Sequence, residues 1–237
     1  MLTALLVGAL ALGSAQAYDQ GNRLYALKDY AGAAKAYTTA LEAGHDARAD
    51  YNLGNALFKS GRVGEAIASY RRAYALAPRD PDVRGNLAFA RAYRLDKVAP
   101  VSNPLVHALD LAFHALSRRE ASFAAALAWL LAAAALALGI VRRWTAAFVL
   151  ASAIGAFALY ATIAGQVWAS EVRAHPGVIV QPEVSAASGP GAEFKPILLI
   201  HDGTEVLIRE ARGEYLLVQL PGGAGGWVPH GAVEAIY

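Results

Sequence analysis

Two long apolar stretches in the second half of the chain limit its architecture more than any other feature. They cover residues 121–141 and 144–168, and neither contains an acidic or basic side chain. At about 1.5 Å of rise per residue, each is long enough as a helix to cross the roughly 30 Å apolar core of a bilayer. Only Arg142 and Arg143 stand between them. The pattern predicts a transmembrane hairpin, and a buried hairpin of a soluble protein is the alternative.

The N-terminus predicts export and thereby an orientation for this hairpin. Residues 1–17 combine an apolar run with an Ala-Gln-Ala ending, the small-x-small pattern that signal peptidase accepts. A short buried helix or an uncleaved anchor is the alternative. After export, the first span runs inward and the loop at Arg142 and Arg143 is cytoplasmic, in line with the positive-inside rule. Arg118 and Arg119 flank the other end of that span, but long translocated segments obey the rule poorly. We therefore expect a bacterial inner-membrane protein whose flanking domains are periplasmic.

A repeat of about 34 residues precedes the hairpin. The unit starting at Ala47 has the spacing given by Leu53, Gly54, Ala66, Tyr70, Ala73 and Pro78, and a copy 33 residues earlier carries Gly21, Asn22, Ala33, Tyr37 and Ala40. Small residues at Gly54 and Ala66 allow two helices to cross closely, and Pro78 ends the second one. Tyr70 is expected to pack toward the next unit. The pattern resembles the tetratricopeptide repeat and predicts two helical pairs plus a capping helix over residues 18–97.

The resemblance also predicts a binding groove, because the first helix of each tetratricopeptide pair lines a concave surface. Asparagine amides there can hold a peptide backbone in register. In chaperone-binding members of the family, the positions of Asn22 and Asn52 grip a C-terminal carboxylate. The cationic partners of that clamp are replaced by Tyr18, Asp82 and Asn86, so carboxylate capture is not expected. The candidates that face the groove are Asn22, Tyr25, Asn52, Asn55, Lys59 and Asn86, with helix packing as their alternative role.

The last 62 residues, 176–237, change to a β pattern. Strands such as "TEVLIRE" and "EYLLVQL" alternate apolar and polar residues between Gly, Pro and Asp turns, which predicts a small antiparallel barrel. The order "SGPGAEF", "HDGTEV", "YLLVQL" and "GGWVPHGAV" is similar to bacterial SH3 domains. Tyr215, Trp227 and Pro229 are candidates for an aromatic cleft, although Trp227 is alternatively a core residue. The "PGGAGG" segment precedes a strand, so it predicts a hairpin loop and not a phosphate site.

Residues 98–120 predict an amphipathic juxtamembrane helix that lies at the membrane interface. His107, Asp110 and His114 share one face of it, but the two histidines are seven residues apart, roughly 10 Å along a helix. One metal ion would not reach both, so we expect no metal site. The chain also lacks cysteine and the common catalytic motifs, which predicts a protein without catalytic residues or cofactor. An enzyme based on these three side chains is the remaining alternative.

The charge of the chain is unevenly distributed. Residues 18–97 carry 13 Lys and Arg against 9 Asp and Glu, whereas residues 176–237 carry 3 against 7. Neither segment has a stripe of cations, so nucleic acid is not an expected partner. Opposite net charges of +4 and −4 suggest weak docking of the two domains, which salt would screen.

The sequence as a whole predicts a multidomain membrane protein with α-helical repeats, a two-helix transmembrane hairpin and a C-terminal all-β SH3-like barrel. This order resembles the BatE family of Bacteroides aerotolerance operons. Membership implies a non-enzymatic scaffold in a membrane complex with von Willebrand A-domain proteins and a MoxR-type ATPase system. The competing interpretation is a cell-wall module, in which the SH3 domain binds peptidoglycan peptides and the repeats recruit a wall enzyme.

Overall fold

The computed structural model describes residues 2–96 and 103–237, with side chains from residue 13 onward. The first residue of the predicted signal peptide and the start of the predicted juxtamembrane segment lie outside the described residues. The chain divides into two compact units. One joins Met1–Ala99 with Ala174–Tyr237, and the other is Pro100–Arg173.

The N-terminal part of the first unit, here called the repeat module, consists of five helices. They are α1 (Leu2–Ala26), α2 (Tyr30–Leu41), α3 (Ala47–Lys59), α4 (Val63–Leu76) and α5 (Pro81–Ala92). Asp29, Asp46 and Asp80 cap α2, α3 and α5, because each side chain accepts a hydrogen bond from a backbone N–H in the first turn. Helix α1 runs without a break through the predicted cleavage point after residue 17.

The C-terminal part of the first unit, here called the sheet module, is a seven-stranded antiparallel sheet. Its strands are β1 (Pro176–Ile179), β2 (Glu183–Ala187), β3 (Pro196–His201), β4 (Glu205–Arg212), β5 (Tyr215–Gln219), β6 (Gly225–Pro229) and β7 (Val233–Ala235). Their order in space is β3-β2-β6-β5-β4-β1-β7. Alternate residues such as Leu216, Val218 and Val228 point into one apolar core. The antiparallel pairing agrees with the alternating sequence pattern, and "PGGAGG" connects β5 to β6 as a hairpin.

The sheet module packs directly on the repeat module. Val178 of β1 and Ile236, just after β7, belong to the same buried apolar cluster as Ala66 and Ile67 of α4. The contact therefore has an apolar centre and is more than the weak charge attraction that the sequence suggests. Two repeats have few neighbours to bury their last helices. The sheet supplies such a neighbour for α4.

Five consecutive residues at the turn between β3 and β4 reach across this interface. We call them the docking loop, His201–Glu205. The backbone N–H of His201 donates to Asp96 Oδ2 at 2.9 Å, and its Nδ1 lies 2.9 Å from Asp96 Oδ1. Thr204 Oγ1 donates to the same Oδ2 at 2.7 Å. Gly203 adopts φ 81°, a left-handed conformation that glycine allows, and this lets the loop turn tightly onto the helices.

Asp202 of the docking loop caps helix α4 from the other module. Arg62, at the N-cap position of α4, makes no capping hydrogen bond with its side chain. Instead, Asp202 Oδ1 accepts from the backbone N–H of Gly64 at 3.0 Å, which satisfies a free group at the positive end of the helix. A Cβ at Gly64 would overlap the carbonyl oxygen of Ile179 and the Asp202 carboxylate, so this approach requires glycine.

Glu205 is the centre of the charged part of the interface. Its carboxylate accepts two hydrogen bonds from Arg91, at 2.7 and 2.8 Å, and one from Arg94 at 3.0 Å. Arg71 Nε lies 3.8 Å from it. Burial by itself would raise the pKa of Glu205, but Arg91, and after it Arg71 and Arg94, hold that pKa below its usual value. One carboxylate thus balances three guanidinium groups.

A second ion pair lies at the other edge of the interface. Arg72 of α4 donates to Glu234 Oε1 at 2.6 Å and to the carbonyl of Ala235 at 3.2 Å. Its Nε also lies 3.4 Å from Asp50, a fully buried carboxylate that contacts His45 Nδ1 at 2.9 Å. Arg72 therefore links the sheet to a buried acidic group inside the repeats.

The second unit contains three helices in its described residues, 103–173: α6 (Pro104–Phe113), α7 (Arg118–Arg142) and α8 (Thr145–Arg173). Helices α7 and α8 form an antiparallel hairpin, turned at Arg143 with φ 49°. Small residues line the seam between them: Ala121, Ala128, Ala132, Gly139, Ala147, Ala151, Ala158, Ala161 and Ala164. By length and composition, both helices are able to cross a membrane. Many large apolar side chains on the hairpin remain exposed.

Three details of this unit differ from the predicted boundaries. Helix α7 begins at Arg118, before the predicted span, because Ser117 and Glu120 form a capping box there. Helix α8 continues to Arg173, five residues past the predicted span. The predicted juxtamembrane helix is limited to α6 among the described residues, and Asn103 caps it.

The polar cluster predicted on α6 is used for packing within the second unit. His114 is buried, with Nε2 2.8 Å from Glu171 Oε1 and Nδ1 2.8 Å from the carbonyl oxygen of Asp110. The hydrogen bond with Glu171 raises the pKa of His114. His107 is exposed. No group of three metal-binding side chains occurs among the residues that the structure describes.

We predict that Glu205→Gln destabilises the first unit at pH 7 by about 2 kcal/mol, because it leaves desolvated arginines without their carboxylate. The pKa values of Glu205 and Asp96 both lie below their usual values of 4.5 and 3.8. Their contribution is therefore complete above the unfolded-state pKa and is lost as the pH falls through the lowered folded-state pKa. Urea unfolding of the full chain in detergent, followed by circular dichroism, measures both effects.

The matched control for this variant is Glu210→Gln, an exposed glutamate on the same strand. The control should unfold at the wild-type urea concentration. The account is contradicted if Glu205→Gln also unfolds there, or if it loses stability between pH 7 and pH 3 as steeply as the wild type.

Candidate peptide-binding groove

Four of the predicted groove residues are asparagines, and they form a hydrogen-bonded ladder with tyrosines. In the first rung, Tyr37 Oη donates to Asn22 Oδ1 at 2.8 Å. Asn52 Nδ2, from the next repeat, donates to Tyr18 Oη at 2.9 Å and to Asn22 Oδ1 at 3.4 Å. The rung therefore ties both helices of one repeat to the first helix of the next.

The second rung repeats this arrangement one unit later. Tyr70 Oη donates to Asn55 Oδ1 at 2.7 Å. Asn86 Nδ2 donates to Tyr51 Oη at 3.0 Å and to Asn55 Oδ1 at 2.8 Å. Both rungs use the same residue types, at equivalent positions of the repeat, as donors and acceptors. The ladder is therefore a property of the repeat itself and not of one position.

Close helix crossing brings the tyrosine rings into the ladder. The rings of Tyr37 and Tyr70 lie on Gly21 and Gly54, where an added Cβ would be 2.5 and 2.6 Å from the nearest ring carbon. Tyr70 thus packs on Gly54 within its own repeat, and it also belongs to the buried apolar cluster that contains Leu87 of the next unit, which agrees with the predicted contact toward that unit. Burial raises the pKa of Tyr37 to about 12 and raises that of Tyr70 as well, so both hydroxyls remain protonated donors.

The ladder changes what the groove offers to a ligand. The amide NH₂ groups of Asn52 and Asn86 are occupied by tyrosine and asparagine oxygens. Within the described residues, their Oδ1 atoms have no hydrogen-bond donor, and both side chains are only half-buried. The groove therefore presents carbonyl acceptors, which suit the N–H groups of a peptide backbone.

The other two predicted groove residues lie outside the ladder. Tyr25 is half-buried and its ring meets that of Tyr30 edge-on at 5.2 Å. Lys59 is exposed in the last turn of α3 and makes no ion pair with any residue that the structure describes. It is therefore a free cation at the end of the groove.

Three aromatic residues that the sequence analysis did not select stand beside the second rung. The aromatic cluster consists of Phe58 on α3 with Phe89 and Tyr93 on and just after α5, and its ring centroids are 5.1 to 5.5 Å apart. Phe89 is 54% exposed and Tyr93 60%. The sequence carried a signal for this exposure, because the capping helix is not followed by a second helix of its own repeat.

The predicted cleft of the sheet module is only partly open. Tyr215 and Pro229 lie opposite each other on β5 and β6, and Trp227 lies two residues before Pro229. Trp227 is 8% exposed, and the guanidinium of Arg212 sits 5.5 Å from its ring centre. Its neighbours on the strand ladder are Leu217 and Ala187 and not the main apolar core. Trp227 is therefore largely buried, which favours its alternative role in packing, and its place in a cleft stays a prediction.

A cavity of about 500 Å³ opens on the side of the repeat module formed by α2, α3 and α4. The residues that line it include Leu53 and Leu57 together with the charged Lys35, Arg72 and Glu234. Its cations and carboxylates are mixed, and Arg72 is paired with Glu234. The cavity therefore does not select a ligand of one charge.

Comparison with known families agrees with this geometry. Residues 18–81 match the tetratricopeptide repeat family. The match begins at Tyr18 of the first rung and ends at Pro81, the first residue of α5. Tetratricopeptide repeats typically serve as non-enzymatic modules for protein–protein interaction. A search of curated proteins found no match to the chain.

We predict that the ladder stabilises the repeats measurably. Tyr70→Phe keeps the ring but removes the hydroxyl that donates to Asn55, at a cost of about 1 kcal/mol. Gly54→Ala should cost more, about 2 kcal/mol, because its Cβ overlaps a buried ring. Urea unfolding of the full chain in detergent compares them with Tyr93→Phe, whose exposed hydroxyl has no partner among the described residues. Equal midpoints for Tyr70→Phe and Tyr93→Phe would mean that the ladder contributes nothing.

Proposed function

We propose that this protein is a membrane-anchored, non-enzymatic adaptor that binds protein partners through its tetratricopeptide groove and its sheet module. The observation that carries the proposal is the pair of acceptor rungs on helices that match an interaction repeat. Because the sheet module is docked on the same helices, a partner meets both modules as one surface. A scaffold acts by holding its partners on a fixed surface, and it does so without a reactive group.

Membrane anchoring is assigned to α7 and α8, with predicted spans at residues 121–141 and 144–168. The support is their length, their apolar composition and the exposure of side chains such as Leu130 and Val149. Small residues in the seam are typical of closely packed helices in lipid. We assign the loop at Arg142 and Arg143 to the cytoplasm and the groove to the periplasm, with residues 1–17 as the export signal.

The wider assignment follows the resemblance to the BatE family. It treats residues 176–237 as a bacterial SH3 domain and α6 as an interfacial helix, and it implies von Willebrand A-domain proteins and a MoxR-type ATPase system as partners in stress tolerance. The antiparallel sheet and its short strands support this domain assignment. The alternative cell-wall module would use the cleft of Tyr215, Trp227 and Pro229. Because Trp227 is 8% exposed and leaves little aromatic surface for a wall peptide, the adaptor is the better supported function.

Single cysteines test this proposal, since the chain has none of its own. Cysteine replaces Ser60 in the repeat module, Arg143 in the hairpin loop and Ala211 in the sheet module, one at a time. Cells with a permeabilised outer membrane are treated with an impermeant maleimide. We expect labelling at positions 60 and 211 and protection at position 143. Labelling at 143 with protection at 60 and 211 would overturn the periplasmic assignment.

The same variants test the adaptor role. A benzophenone maleimide on position 60, beside Lys59, should crosslink to a membrane or periplasmic protein on irradiation, whereas position 143 should give no such adduct. Mass spectrometry identifies the partner and decides between a von Willebrand A-domain protein and a wall enzyme. Absence of any protein adduct at position 60 would contradict an adaptor.

A further inference from the structure

The chemistry of the groove at its α5 end defines a class of ligand more narrowly than the repeats alone. Phe58, Phe89 and Tyr93 contact one another ring to ring and form a continuous apolar wall. Phe89 and Tyr93 lie on the face of α5 that also carries Asn86, because residues three and seven positions apart share a helix face. The wall and the second rung are therefore parts of one surface.

The polar atoms of this surface are acceptors. Asn86 Nδ2 is used by Tyr51 and Asn55, so its carbonyl oxygen is the group left to a ligand. One repeat earlier, the Nδ2 of Asn52 is likewise used, by Tyr18 and Asn22, and its carbonyl oxygen is left to a ligand. A peptide backbone in an extended conformation presents N–H groups to such acceptors and its side chains to the adjoining wall.

The charged side chains of this surface are unevenly placed around the aromatic cluster. Lys59 lies on the same face of α3 as Asn55, one turn later, and it corresponds to Tyr93 in the next unit of the 34-residue repeat. It is exposed and has no ion-pair partner among the described residues. Asp82, which is also exposed, lies on the face of α5 that carries Phe89, two turns earlier. Two helical turns are roughly 10 Å along the axis, so Lys59, which directly follows Phe58, and not Asp82 is the charged group beside the aromatic cluster.

We propose that this surface binds an extended peptide segment that places a large apolar side chain on Phe58, Phe89 and Tyr93 and an acidic side chain beside Lys59. The proposal rests on the adaptor function above and adds the chemistry of its partner. The aromatic wall supplies contact area at low conformational cost, and the cation selects the charge of the neighbouring residue. A basic side chain at the same place is disfavoured, because it would lie beside the like charge of Lys59.

Fluorescence anisotropy with the full chain in nanodiscs tests this chemistry. Three labelled peptides serve as probes: a central Leu-Phe pair between pairs of glutamates, the same pair between pairs of lysines, and a Ser-Ser pair between pairs of glutamates. We expect the first probe to bind at least tenfold more tightly than the other two. Failure of the acidic Leu-Phe probe to bind, or equal binding of the lysine probe, overturns the proposal.

Substitutions at two exposed residues test which side chains determine the binding of the probes. Phe89→Ser should weaken the acidic Leu-Phe probe at least tenfold, and Lys59→Glu should transfer the preference to the lysine probe. Lys59→Glu should keep the wild-type urea midpoint, whereas Phe89→Ser should lower it only slightly, because it loses two ring contacts at a half-exposed site. If Lys59→Glu leaves the charge preference unchanged, the ligand chemistry is wrong.

The outcomes separate this proposal from the adaptor function. Binding of both Leu-Phe probes regardless of charge would leave a working groove and overturn only the acidic specificity. A reversed labelling pattern in cells would overturn the periplasmic assignment without affecting probe binding in nanodiscs.

Discussion

The contact between the docking loop and helices α4 and α5 is the interaction on which the first unit depends. Within five residues the loop supplies a helix cap, a tight glycine turn, three hydrogen bonds to Asp96 and the carboxylate of Glu205. Helix α4 lacks a side-chain cap at its own N-cap position, and the arginines around Glu205 need a counter-charge once they are desolvated. The repeats and the sheet are thus each incomplete without the other.

The docked sheet determines which side of the repeats stays accessible. A stack of two repeats and a capping helix is short for an independent solenoid, because each repeat buries its apolar face on a neighbour. The sheet takes the place of further repeats on the α4 side, while the groove side keeps its ladder and aromatic cluster accessible. The ladder also uses the NH₂ groups of Asn52 and Asn86 in hydrogen bonds within the repeats. In the proposed groove, the remaining acceptors and Lys59 are thus held in place before a partner binds.

The sequence predicted those parts of the structure that follow from local periodicity. Repeat spacing located the helix pairs, and Gly54 identified the close crossing because only a small residue fits beneath a ring. Alternation predicted the antiparallel sheet. The interface was not predictable in the same way, since Gly64 and Asp202 are 138 residues apart and Arg91 and Glu205 are 114 apart. "HDGTEV" was interpreted only as a strand motif, although its acidic residues also serve the repeats.

In the candidate site, too, the sequence predicted the features that follow from local periodicity but not the long-range contacts. The repeat positions of the asparagines were visible in the sequence, and their role in a groove stays a prediction. Their tyrosine partners depend on how two helices cross, which single positions do not encode. Phe89 and Tyr93 were missed because aromatic residues on a helix usually indicate a core. Trp227 was assigned either to a cleft or to the core, and its burial on β6 favours the core, which depends on strand pairing that single positions do not encode.

The most direct test of the central claim, that repeats and sheet form one body, is a distance measurement between them. Spin labels on cysteines at Ser60 and Ala211, both exposed, are measured by double electron–electron resonance in nanodiscs. The account predicts one narrow distance distribution for the wild type. It also predicts one for Gly85→Ala, where an added Cβ meets open space. Gly64→Ala should broaden the distribution, because its Cβ overlaps the docking contacts. A broad distribution in the wild type, or an unchanged one in Gly64→Ala, would contradict the account.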